Sequence, residues 1–77
     1  MDIEKRGLIA QKISFAFEDD YGDIDKRKKF IAFFDKYLAP ADPTGTMQPY
    51  DAIIALGQSN PEEFEKMVEE MKEQKLI

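Results

Sequence analysis

A chain of 77 residues provides for one domain and one core, and such a core buries only about 60% of the surface its unfolded form exposes. It has no cysteine and no histidine, which excludes disulfides and the usual zinc sites as staples. A net charge of −5, with 35% charged and 43% hydrophobic residues, indicates an ordered domain and disfavours non-specific binding to nucleic acid or anionic membrane. No apolar run approaches the ~20 residues of a membrane span, and the opening MDIEKRGLIAQK lacks a signal peptide's apolar stretch. The expectation is a cytoplasmic protein with no membrane attachment, metal or cofactor.

Four segments carry helical periodicity, and none shows the sustained alternation of a half-buried strand. The first helix is expected over 3–18, capped by Asp2, with Ile3, Ile9, Ala10, Ile13, Ala16 and Phe17 on one stripe. The run EDDYGD ends it, with Gly22 as a left-handed terminal residue. Asp23 then caps a second helix over 24–38, and Asp25 faces the positive end of its dipole. Pro40 and Pro43 close that helix, and Asp42-Pro43-Thr44-Gly45 reads as a turn with proline in second position. The connection from Ala39 to Gln48 is long for a small bundle. Pro49 opens a short third helix over 49–57. Asn60-Pro61-Glu62-Glu63 has the pattern of a capping box and starts a fourth helix over 61–75, with Phe64, Met67, Val68 and Met71 on a narrow stripe. The predicted fold is all-α: a single domain over 1–77, a compact bundle of about four helices with a long loop between the second and third.

The chemistry-bearing residues argue against catalysis. Nucleophilic mechanisms pair a Ser, Cys, Thr or Lys with a positioned base, and neither a histidine base nor a cysteine nucleophile exists here. The two serines are Ser14, within the first helix, and Ser59, beside a cap. Asp19, Asp20, Asp23 and Asp25 invite comparison with a calcium loop. Counting from Asp19, however, the sixth residue is Ile24 rather than Gly and the twelfth is Phe30 rather than Glu. In size and charge the chain resembles the acyl carrier proteins, but their Asp-Ser-Leu signature is missing. Ser59 lies instead in Gln58-Ser59-Asn60-Pro61 and leads into the last helix. No catalytic, cofactor or metal residue is assigned.

Charge and apolar surplus point to binding. Lys26, Arg27, Lys28 and Lys29 are consecutive, so they fan over roughly 300° of a helix and cannot all serve one flat surface. A nucleic-acid contact through these four is the alternative reading. On the fourth helix Glu62, Glu65, Glu69 and Glu73 form an acidic face that suits a basic protein surface and would repel phosphates; Glu62–Lys66 is its expected internal pair. The second helix spreads Ile24, Phe30, Ile31, Phe33, Phe34, Tyr37 and Leu38 over roughly 180°, wider than the ~100° stripe of one core contact. Leu8 and Phe15 form a separate patch on the first helix. Either these two helices are central and touch two neighbours each, which is the default, or some of the apolar residues are left for a partner. Met47 and Tyr50 add candidates from the loop region. The expected function is non-enzymatic: a protein-interaction module (regulator, inhibitor, adaptor or assembly factor). It would dock on a protein partner through an exposed edge at Leu8, Phe15, Phe33 and Tyr37, with the acidic fourth helix as rim. A homo-oligomeric structural subunit is the remaining alternative.

Overall fold

The computed structural model describes residues 3–19 and 23–77. The proposed cap Asp2 and residues 20–22 of the first terminator, including Gly22, lie outside them. The helices are α1 (Ile3–Asp19), α2 (Ile24–Phe33, continuing as a π-helical stretch Phe34–Leu38), α3 (Pro49–Ser59) and α4 (Pro61–Glu73). No strand occurs among the described residues, so the all-α bundle of four helices is the architecture.

Local signals place most of the helix ends. The Asp23 carboxylate accepts from the Lys26 N–H at 3.0 Å, and Pro49 and Pro61 open α3 and α4. Asn60 serves two helices at once. Its side chain accepts from the Glu63 N–H at 3.3 Å, while its own N–H donates to the Leu56 carbonyl at 2.8 Å and closes α3. That second bond uses the donor a capping box would offer to Glu63, so only half the expected box forms. The Glu63 carboxylate meets Lys66 at 3.7 Å instead, in the place expected for Glu62.

Two ends differ from expectation for tertiary reasons. Helix α3 runs through Gly57 to Ser59. Gly57 is a buried helical residue whose missing side chain leaves room for Arg6 of α1; a Cβ there would lie 2.9 Å from the Arg6 Cδ. The Arg6 guanidinium donates to the Gly57 carbonyl, one of the acceptors that the last turn of α3 leaves unpaired. Helix α4 stops at Glu73 rather than Lys75. The Lys75 N–H donates to the Lys72 carbonyl at 3.0 Å and the Leu76 N–H to the Met71 carbonyl at 2.9 Å, with Lys75 at φ 59°. This is a Schellman ending in which lysine occupies the left-handed position usually held by glycine, and Leu76 buries against the core beside Met71.

One continuous cluster forms the core. It takes Ala10 and Ile13 from α1, Phe30, Phe33, Tyr37 and Leu38 from α2, and Ala52, Ile53 and Leu56 from α3. From α4 it takes Phe64, Met67, Val68 and Met71, the narrow stripe expected. Helix α3 is central, lying against α1, α4 and the π-helical stretch. Two features of the predicted stripes are corrected. Ile3 lies in the first turn of α1 and is 75% exposed, and Ile24 and Ile31 are exposed on the outer side of α2. Conversely, Phe33 at 6% exposure and Tyr37 at 3% belong to the core, so they form no accessible edge. Their spacing explains the burial: Phe30, Phe33 and Tyr37 stand at i, i+3 and i+7 and so share one helical face, which turns toward α3 and α4.

Two measurements check these assignments. Lys75→Gly removes the cost of a left-handed side-chain-bearing residue, and stability should rise by about 1 kcal/mol, or roughly 4–8 °C in Tm. Arg6→Ala removes the charged donor from the end of α3, and urea denaturation should show a loss of about 1–2 kcal/mol.

Candidate interaction surfaces

The basic run does not assemble into a patch. Arg27 turns inward: its guanidinium stacks 4.2 Å over the Phe17 ring and donates to the Phe17 carbonyl at 3.2 Å. Phe17 in turn packs edge-on against Phe30 and Phe34, with ring centroids 6.0 and 5.2 Å away. Arg27 therefore ties α2 to α1. Lys28 and Lys29 are exposed and Lys26 is half-buried. Lys26 and Lys29, three apart, share one side of the helix, and Lys28 lies about 100° from Lys29.

On α4, Glu62, Glu65, Glu69 and Glu73 are all exposed, as the acidic face requires. Glu70, at the edge of that face, pairs with Lys36 at 3.4 Å beside the buried Tyr37 ring. The Tyr37 hydroxyl lies near both partners without a hydrogen bond of standard geometry. Its proximity, together with the Lys36 ammonium, holds the Glu70 carboxyl below its ordinary value of 4.5. The same hydroxyl and the Glu70 carboxylate raise Lys36 above 10.5, and burial pushes the Tyr37 phenol up.

The serines offer no nucleophile with a base. The Ser14 hydroxyl is buried without a hydrogen-bond partner, and the Ser59 hydroxyl donates to the Leu56 carbonyl at 3.5 Å. Among the described residues no group of three or more acidic side chains is placed to hold a metal ion, and no helix is long and apolar enough to cross a membrane.

Exposed apolar surface is the remaining feature. Leu8 is 66% and Phe15 59% exposed, two turns apart on α1. At ~100° per residue they point nearly opposite Ala10, Ile13 and Phe17, so no packing within the bundle reaches them. The four residues expected to share one edge thus divide: Leu8 and Phe15 on the outer face, Phe33 and Tyr37 inside.

The loop creates surface that periodicity does not reveal. As expected, Asp42 to Gly45 forms a turn, with the Gly45 N–H donating to the Asp42 carbonyl at 3.1 Å and Gly45 at φ +67°. The Asp42 carboxylate then accepts from the Thr46 N–H at 3.3 Å and the Met47 N–H at 3.2 Å. Asp42 thereby fixes Met47 between two hollows. One, of about 210 Å³, is floored by Phe34, Leu38 and Ala52. The other, of about 650 Å³, is an open groove between the start of α1 and α3, lined by Ile3, Gly7, Tyr50 and Ile54. Met47 and Tyr50 were legible as loop-region candidates. Ile3 was assigned to the core instead, and Ile54 carried no signal of its own.

Glu70→Gln tests the polar triad through its pH dependence. The lowered Glu70 pKa contributes stability that is fully present above 4.5 and is lost as pH falls through its folded value; the raised Lys36 pKa contributes below 10.5 and is lost as pH rises through its own. The stability gap between the parent and Glu70→Gln should therefore be greatest near neutral pH and close at both extremes, as measured by urea denaturation across pH. Compared with protein-family models, curated proteins and solved structures, the chain matches none.

Proposed function

We propose that this chain is a non-enzymatic docking module, acting in the cytoplasm by binding a larger protein. The observation that carries the reading is the pair Leu8 and Phe15, exposed on the face of α1 turned away from the core. In a domain this small, burying a leucine or phenylalanine is worth about 1.5–3 kcal/mol, so leaving two outside forgoes scarce stability. An exposed apolar pair aligned along a rigid helix has the geometry of an interface anchor. The acidic face of α4 adds charge that favours a basic partner and repels nucleic acid.

The test is affinity capture from the source cells combined with sedimentation. A monomer that retains one discrete protein, and loses it in the Leu8→Ser/Phe15→Ser double variant without a change in Tm, is the expected result. A two-chain mass that reverts to one on Phe15→Glu would replace the docking module with a self-assembling subunit. Salt-sensitive nucleic-acid binding lost on neutralising Lys26, Lys28 and Lys29 would replace it with a nucleic-acid reader.

A further inference from the structure

The two hollows adjoin at Met47, and together they are a candidate track distinct from the Leu8–Phe15 ridge. Its floor is apolar: Phe34 and Leu38 on one side of Met47, and Ile3, Tyr50 and Ile54 on the other. Its charged lining residues are all acidic. Asp35 and Asp42 border the smaller hollow, Glu4 and Asp51 the larger, and no lysine or arginine lines either. Asp42 is engaged with the loop backbone. The other three make no ion pair with any described residue.

Helix dipoles account for part of this pattern, since Glu4 and Asp51 occupy first turns. They do not account for Asp35, which lies far from the start of α2. Of the eleven basic residues in the chain, only Arg6 comes beside the track, next to Ile3 and Ile54, and its guanidinium is turned to the Gly57 carbonyl. An apolar floor gains by covering, a mainly acidic rim gains by meeting cations, and Met47 supplies a side chain that adapts to the shape laid on it.

We propose that this track seats the apolar face of a basic amphipathic helix contributed by another protein, with Glu4, Asp35 and Asp51 pairing to lysines or arginines along its edges. The proposal rests on the docking reading only in taking the occupant to be a protein. A helix of about fourteen residues is ~21 Å long, which fits within the 32 and 26 Å extents of the domain. Recognition is of the helix-in-groove kind, in which the apolar stripe supplies affinity and the flanking charge selects the partner.

The probe is a synthetic Leu/Lys peptide of about fourteen residues with helical amphipathic spacing. Its controls are a Leu/Glu peptide of the same pattern and a Leu/Lys peptide of scrambled order. NMR titration of the intact chain should show saturable binding of the patterned Leu/Lys peptide, with shifts centred on Ile3, Met47, Tyr50 and Ile54. The triple variant Glu4→Gln/Asp35→Asn/Asp51→Asn changes only exposed side chains and should weaken binding about tenfold with far-UV circular dichroism unchanged at the titration temperature, the two lost first-turn carboxylates lowering only Tm. Three results would each overturn the proposal: equal binding of the scrambled peptide, equal binding of the Leu/Glu peptide, or shifts confined to Glu62, Glu65, Glu69 and Glu73. The Leu8→Ser/Phe15→Ser variant separates the two ideas. It should bind the patterned peptide as well as the parent does, so a failure of the track leaves the Leu8–Phe15 interface untouched, and the converse holds.

Discussion

The π-helical turn from Phe34 to Leu38 is the constraint on which the other packing choices depend. The second helix buries Phe30, Phe33, Tyr37 and Leu38 in the core, the last two from the π-helical stretch itself. Phe34 is left at the other edge, where it closes against Phe17 of α1 at 5.2 Å. The same turn packs against both α3 and α4. The turn ends at Pro40, which has no N–H to continue it, and the Ala41 and Asp42 N–H groups close on the Leu38 carbonyl at 3.0 and 2.9 Å.

With neither disulfide nor metal ligands of the usual kind, helix placement rests on a few polar contacts of high specificity. Arg6 reaches into the space left by Gly57 and satisfies the end of α3, which sets how closely α1 approaches. Arg27 does the equivalent for α1 and α2 through the Phe17 ring and carbonyl. Lys36 and Glu70 pair across α2 and α4. Each joint couples one charge to a neighbouring helix, so three of the basic residues serve architecture. That use removes Arg27 from the run that sequence alone offers as a nucleic-acid patch.

The helices were legible because their signals are local. Asp23, Pro49, Asn60 and Pro61 each act within a few residues, and the α4 stripe needs only its own periodicity. The π turn was not legible, since it depends on what α3 and α4 accept, and no residue in Phe34–Leu38 encodes it alone. The end of α4 was missed for the opposite reason: the usual glycine marker is replaced by Lys75, held left-handed by the burial of Leu76. Of the proposed interface residues, Leu8 and Phe15 were separable by angle from the main stripe of α1, but only the packing shows that no second neighbour covers them. Phe33 and Tyr37 were not separable, because an arc of roughly 180° is compatible with either burial or exposure. The acidic track was invisible in sequence because its carboxylates come from three helices and a loop, brought together only by the fold.

The two apolar surfaces therefore differ in the chemistry that surrounds them. On the wheel, the Leu8–Phe15 ridge has Lys5 and Lys12 along one flank and Glu4, Gln11 and Glu18 along the other. As the proposed interface, a ridge flanked by both signs would gain little selectivity from net charge and would discriminate mainly by shape. The charged residues lining the Met47 hollows are carboxylates, with Arg6 beside Ile3 and Ile54, so the proposed track would favour a basic partner over an acidic one. Glu4 belongs to both borders, at the point where the start of α1 passes from ridge to track. A partner engaging both surfaces would have to cross the first turns of α1, placing its basic edge at Glu4 and its apolar anchors on either side. Asp42 makes such an arrangement structurally inexpensive: by holding the Thr46 and Met47 N–H groups, it settles the loop before any partner arrives, and binding then orders little beyond the Met47 side chain.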